Sequence, residues 1–385
     1  MKAAGETTLK KPTLIILIFC CTVLLVGCSE ERILERLSLP TLIGYDVNEE
    51  NTEITTTAVI RQVSPEFESR IEIQSATAPT SKGTRIDTNL KTSRKLMAGQ
   101  LRVILLSENL AKNGIEGALH TTMMNSEIST SVYLAVVEGD TKDLLEYQFP
   151  SIKDIGQHIF SLIDQNVDER LTVSSTVHEV SRDLYSPYKN TVIPIIKRQE
   201  ESIMIKDVGL FHKGKLVGKL PSKDVFYILL ARKDVEQGTL ELLLPKDGFD
   251  IDDSKQELQI DKLPIAIDSL DSKRSIKIVN SDTPEFDLTI KADCRLLEIH
   301  RSVEISKMED LKKIEEAVNK EIKKELERVI KYGQEVGSDV FGFGDYYFTH
   351  TRNPHITEEE WSEKFKNMKV NIKTDIRVLR NGVFE

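Results

Sequence analysis

Apolar residues recur along this chain first at alternate positions and then at three- and four-residue steps, which divides it into strands and helices. Alternation predicts strands over 54–62 and 70–74. Ile86, Leu90 and Leu96 or Met97 stand at helical spacing within 84–97. The apolar run 101–106 predicts a buried strand, after which Ser107 caps a short helix that stops at Asn113-Gly114. A helix over 115–124, a strand over 129–137 and helices near 140–147, 152–163 and 174–185 follow. Residues 191–197 predict a further strand, and Pro194, which has no N–H to donate, places it at a sheet edge.

Past residue 200 the pattern becomes hairpins. Runs at 204–211 and 216–219 flank a Gly-containing loop, and Pro221-Ser222 opens a short helix to about 232. Strands at 239–244 and 257–263 enclose an acidic loop, 246–254, and long alternating runs at 265–279 and 286–305 surround a turn at 281–284. Ser306 and Glu309 form a capping box, and Leu311, Ile314, Val318, Ile322, Leu326, Val329 and Ile330 then make one apolar stripe. This predicts a long amphipathic helix over 307–332, ended by Gly333 and Gly337. Thr357 and Glu360 form a second capping box before Trp361 and Phe365, and a strand over 370–379 closes the chain. The order predicts an α+β protein of mixed sheets with packed helices. The pattern changes near residue 200, and the stretch with the long helix makes a compact α+β unit.

The N-terminus changes how all this is placed. Lys2, Lys10 and Lys11 precede a 14-residue apolar run, Thr13 to Val26, too short to span a bilayer comfortably. Leu25-Val26-Gly27-Cys28 then reads as a lipobox, so residues 1–27 are expected to be a lipoprotein signal peptide and Cys28 the lipid-attachment site. The mature chain would begin at Cys28 and work outside the cytoplasm, held by acyl chains. Of 385 residues, 358 remain, enough for two or three domains. The formal charge of −10 becomes about −12 without Lys2, Glu6, Lys10 and Lys11. So acidic a surface argues against nucleic acid and leaves membrane attachment to the lipid.

Catalytic constellations are weak. Of Cys20, Cys21, Cys28 and Cys294, only Cys294 survives processing and lipidation, so no internal disulfide or cysteine-based metal site can form. His178-Glu179 lacks a second histidine at metal-binding spacing, and Asp247 to Asp253 lacks the ligand order of a calcium loop. Gly342-Phe343-Gly344 follows a helix, not a strand, which speaks for close packing beside Phe341 and Tyr346 over a dinucleotide loop. A non-enzymatic binding or scaffolding role at a membrane surface, with no cofactor and no metal, is the expectation.

Several motifs, in order, resemble the Ger(x)C family, the lipoprotein C subunits of spore nutrient germinant receptors. After the lipobox, Leu39 to Asp46 resembles the family's opening strand ending in G-x-D. Ser93 to Gln100 followed by Arg102 to Leu106 resembles its helix-then-strand segment, and Ser107 to Ile115 its S-E-x-L-A-x-x-G-I. Gly209-Leu210-Phe211 with Lys215 to Gly218 resembles its hairpin. The most specific match sets Gln334, Asp339, Phe341, Gly342, Phe343 and Gly344 on Q-x-x-x-x-D-[IV]-F-G-F-G, with Trp361 and Phe365 on W-x-x-x-F before the last strand. Ser29 and Glu30 replace the usual Trp and Asp after the lipid cysteine, and the segment after Tyr347 lacks the usual second tryptophan. The resemblance implies three α+β domains, expected here at 28–200, 201–264 (a small middle domain) and 265–385, the last carrying the long helix, and a role in nutrient-triggered germination. It also implies assembly with a polytopic A subunit and a multi-pass B subunit on the outer face of the spore inner membrane. A lipid-anchored solute-binding protein of a transporter is the alternative. That class needs two parallel-sheet lobes with repeated βα spacing, which the sequence pattern lacks.

Overall fold

In the computed structural model, the described residues are 37–62, 70–92, 94–246, 249, 262–299, 308–352, 354 and 356–379. The signal peptide, Cys28, Ser306 and nearly all of the acidic loop lie outside them. The fold is α+β, with two mixed sheets. The first is built from β1 (Leu37–Val47), β2 (Ile54–Gln62), β3 (Arg70–Ala78), β4 (Lys95–Leu96), β5 (Val103–Ser107), β6 (Tyr133–Val137), β7 (Val192–Gln199), β8 (Ser202–His212) and β9 (Lys215–Pro221). Its order is β3-β2-β1-β5-β6-β7-β8-β9, with β4 beside β1. The centre, β1-β5-β6-β7, is parallel, and both flanks are antiparallel.

A parallel centre needs helices on both faces, and all five residues of β5 are buried. One face is covered by α2 (Glu108–Asn113), α3 (Glu116–Met123) and α6 (Val177–Leu184), through Leu110, Ile115, Leu119, Val177 and Val180. The other is covered by α4 (Thr141–Glu146) and α5 (Ile155–Asp168), through Leu144, Leu145, Ile155, Ile159 and Ile163. Local chemistry sets the ends: Ser107 Oγ accepts from Leu110 N, and Gly114 at φ +133° follows the helix. Glu179 of the His178-Glu179 pair completes a capping box with Thr176, so its carboxylate is structural. The opening G-x-D motif acts at a distance. Asp46 accepts from Thr141 N, Thr141 Oγ1 and Lys142 N at 2.6, 2.8 and 3.0 Å, capping α4. Gly44 makes that approach possible, because a Cβ there would lie 2.3 Å from Thr141 Oγ1.

Two expectations are corrected here. Pro194 sits in β7, an interior strand. It is tolerated because the ladder to β6 begins one residue later, at Ile195. The helix expected over 84–97 is α1 (Ser81–Lys91), followed by β4 and a single 3₁₀ turn, Ala98–Gln100. Its Ile86 and Leu90 face outward.

The second sheet runs β10 (Thr239–Pro245), β11 (Lys262–Asn280), β12 (Glu285–Ile299) and β13 (Lys369–Leu379). β13 returns from the chain end to lie parallel to β12 from Glu285↔Lys369 to Arg295↔Leu379. The long helix α8 (Met308–Glu335) lies on this sheet, with Ile314, Val318, Ile322, Leu326, Val329 and Ile330 at most 3% exposed. Its Asn319 binds the outer edge of β13, donating to Ile376 O at 2.8 Å and accepting from Ile376 N at 2.9 Å. Gly333 is inside α8, because Phe341 lies over it: a Cβ there would meet Phe341 Cε2 at 2.7 Å. The shorter helices α9 (Phe343–His350) and α10 (Glu358–Asn367) follow. Between the sheets lies α7 (Val225–Arg232), buried from Val225 to Ala231 as a helix apolar all round must be. Residues 201–264 contribute β8 and β9 to the first sheet and β10 to the second.

Cys294 lies in β12 at 1% exposure, and burial, with Glu315, Asp293 and Asp268 nearby, pushes its thiol up to about 12. A native mature chain is therefore expected to resist a thiol reagent at mildly alkaline pH and to react fully in guanidinium. Rapid labelling of Cys294 in the native protein would contradict the packing described here.

Candidate functional site

The signature near the C-terminus occupies the place where α8 ends and the two sheets meet. Gly337, at φ +69°, turns the chain out of α8, and Ser338 N bonds back to Gly333 O at 2.8 Å. The Ser338 hydroxyl donates to the carbonyl of Phe211 in β8. Asp339 then pairs reciprocally with Asn190, just before β7: Asp339 N donates to Asn190 Oδ1 and Asn190 N to Asp339 O, both at 2.9 Å.

The Asp339 carboxylate, 2% exposed, faces the start of α9. Its Oδ1 accepts from Gly342 N and Phe343 N at 2.9 and 3.2 Å, and its Oδ2 from Gly344 N at 2.7 Å. These N–H groups have no partners within α9, so the side chain is their acceptor. Gly342 reaches this geometry at φ +81°, a left-handed conformation that favours glycine. Burial pushes the Asp339 carboxyl up to about 6, against the opposing pull of the Gly344, Phe343 and Gly342 amides. The Trp361 indole N–H lies beside the same carboxylate without a hydrogen bond of good geometry.

Aromatic rings fill the space around this loop. Phe341, Phe343, Tyr347, Trp361 and Phe365 are all at most 3% exposed. Tyr347 stacks on Trp361 at 5.5 Å between centroids, and Phe343 packs on Phe286 of β12 at 5.3 Å. Gly344 admits the crossing: a Cβ there would lie 2.3 Å from Tyr188 O and 2.5 Å from Trp361 Nε1. Gln334 fastens the end of α10, its Nε2 donating to Phe365 O and Met368 O at 2.9 and 2.8 Å. Two contacts from α8 brace the same junction. Arg328 Nη2 donates to buried Asp224 at 2.7 Å, and Lys219 N of β9 donates to the Tyr332 hydroxyl at 3.1 Å.

The structure thus brings Gln334, Asp339, Phe341, Gly342, Phe343, Gly344, Trp361 and Phe365 into one joint. The side chains of Gln334 and Asp339 bond within the protein. The joint's partners Tyr188 and Asn190 were not singled out from sequence, since no local pattern marks residues that pair across such separations. A shallow cavity of about 230 Å³ beside the joint is lined by Tyr188, His212, Asp339 and Trp361 among others.

Gly344→Val is expected to lower the melting temperature clearly, with a cost of about 1–3 kcal/mol from overpacking; a wild-type melting temperature would remove the packing role. Asp339 carries a pH signature. An unfolded aspartate releases its proton near the ordinary value of 3.8 and the folded one near 6, so between these values the native state holds a proton that the unfolded chain has lost. Its contribution is therefore fully present below about 4 and lost as pH rises through 6, by roughly 2–3 kcal/mol. The stability advantage of wild type over Asp339→Asn, from urea titrations, should shrink across that window; a constant difference would refute the assignment.

Residues 30–198 match a family model described as "Spore germination protein N-terminal domain", and residues 206–382 one described as "Spore germination B3/ GerAC like, C-terminal". Spore germination protein GerQC of Bacillus cereus is 24% identical over 371 residues, covering 96% of this chain and 99% of that protein. Spore germination protein A3 of Bacillus subtilis (strain 168) is 26% identical over 251 residues, covering 61% of this chain and 64% of its own. The crystal structure of the GerBC protein superposes with a TM-score of 0.53 at 16% identity, covering 88% of this chain and 96% of that one, which shows a shared fold. With matches to both family models, which together take in nearly the whole chain, this protein belongs to the Ger(x)C family of spore germination proteins.

Proposed function

We propose that the protein is a lipid-anchored, non-enzymatic subunit of a spore germinant receptor. It acts in nutrient-triggered germination by assembling with a polytopic A subunit and a multi-pass B subunit on the outer face of the spore inner membrane. One observation carries this reading: the chain's most specific motif is spent on an internal joint. Asp339 serves the first amides of α9, Gln334 serves two carbonyls of α10, and the aromatic residues are buried. A motif of this kind fixes the relation of two sheets, which suits a part that presents surfaces to other proteins. Family membership supports the germination setting. The solute-binding alternative calls for two parallel-sheet lobes around a cleft. Here the parallel centre belongs to the first sheet, and the only parallel pair described in the second is β12 with β13.

Anchoring rests on Leu25-Val26-Gly27-Cys28, outside the described residues. Cys28→Ala is expected to abolish acyl labelling and to release the protein from the membrane fraction; unchanged palmitate incorporation would exclude this anchor. Affinity capture from detergent-solubilised spore membranes should recover two polytopic proteins with the wild-type chain. Tight binding of an amino acid or sugar by the isolated chain, with no co-purifying membrane subunit, would turn the assignment to the solute-binding alternative.

A further inference from the structure

Helix α1 is built the wrong way round for a surface helix of a soluble domain. Thr84 and Thr88 are 0% and 3% exposed, whereas Ile86 and Leu90 are 55% and 81% exposed. The buried threonines are satisfied: Thr84 Oγ1 shares a 2.7 Å hydrogen bond with Thr56 Oγ1 of β2, and Thr88 Oγ1 donates to Thr84 O at 2.8 Å. A helix with only water outside would bury the isoleucine and leucine instead. Lys82, Ile86 and Leu90 follow at four-residue steps as one outward stripe. Ile86 shares the rim of a groove of about 480 Å³ with Met124, itself 68% exposed.

The charge around this stripe runs against that of the chain. Residues 81–95 carry Lys82, Arg85, Lys91, Arg94 and Lys95 against Asp87, a local +4 in a protein of −10. Arg85 is shared with Glu127 at 3.1 Å, while Lys82, Lys91 and Lys95 are exposed. Exposed apolar side chains ringed by lysines seat a helix at an anionic bilayer: the cations meet phosphates and the apolar groups enter between acyl chains. The chain as a whole is acidic, so a local excess of positive charge sets this side apart as the one suited to an anionic surface.

The chain path sets α1 beside the start of β1, the first described strand. Met97 N, just past β4, donates to Ser38 O at 3.0 Å, and Pro40 lines the groove that Ile86 rims. Cys28 precedes Ser38 by ten residues, at most about 35 Å of extended chain.

We propose that α1, together with Met124, is a lipid-contacting surface that lays the first sheet against an anionic phospholipid bilayer. The proposal takes its setting from the membrane-anchored reading above, but the contact itself needs no acyl group. Residues 29–385 contain every described element and lack Cys28, so their vesicle binding reports on α1 independently of the anchor. This chain should sediment with phosphatidylcholine vesicles containing phosphatidylglycerol, less so as salt rises, and not with phosphatidylcholine alone. Ile86→Asp with Leu90→Asp should lower the partition coefficient by about tenfold or more at an unchanged melting temperature. Lys82→Glu with Lys91→Glu and Lys95→Glu should abolish the preference for phosphatidylglycerol. Leu243→Asp, at an exposed apolar position on β10, should bind as wild type. Failure of the wild-type chain to sediment with anionic vesicles at low salt, or equal binding by the Ile86/Leu90 variant, overturns the proposal. If the wild-type chain ignores vesicles and the same variant loses the polytopic subunits in affinity capture, the face is a protein interface and the bilayer assignment falls. A negative acyl-labelling result for Cys28 would strike the anchor alone.

Discussion

A carboxylate cut off from water keeps its charge only where donors converge on it, and Asp339 sits where three amides do. That demand fixes where α9 begins. With the start of α9 fixed, Phe343 reaches Phe286 on the second sheet, and Phe348 stacks on Tyr188, in the turn that leads into β7 of the first, at 3.8 Å. The backbone of the same residue pairs in both directions with Asn190. One position thus carries both the internal geometry of the C-terminal half and its attachment to the N-terminal half. The cost is a carboxyl lifted toward 6, which ties the firmness of the joint to pH.

The joint does not stand alone. Helix α7, buried along its length, gives the two sheets a common core that runs from Val208 and Leu220 to Leu288 and Val318. Aromatic packing adds area without polar groups that would need partners, which suits a junction where two layers meet at close range. Glycine at 333, 337, 342 and 344 lets backbones and rings approach where any Cβ would clash or strain the turn.

How much could be read from sequence depends on how far each residue's partner lies along the chain. Helix α8 was legible because its apolar positions repeat every turn, and the Thr357–Glu360 capping box because both members lie within one. The β8–β9 turn announced itself through Gly214, which with Lys213 takes the positive φ of a tight hairpin. The parallel centre of the first sheet was not legible, because its neighbours are separated by whole helices. Nor was the cap on α4, whose acceptor Asp46 lies 95 residues upstream of Thr141. The orientation of α1 was not legible, since helical spacing cannot reveal that threonines will find hydroxyl partners across a sheet. In the site itself, the glycines and rings of 341–344 were read as close packing. The service Asp339 gives to the amides beyond it appears only in three dimensions.

The parallel seating of β13 on β12 has a consequence for biosynthesis. Every strand of the first sheet has been made by Pro221, so that layer can assemble while the rest of the chain is still being synthesised. The second sheet takes its final strand from the last residues of the described chain, and the apolar stripe of α8 packs partly on that strand. Until those residues are made, the helix that precedes them has an unfinished floor. Contacts of the first sheet can therefore form before those of the second, and the joint at Asp339 needs chain from both halves before it can close.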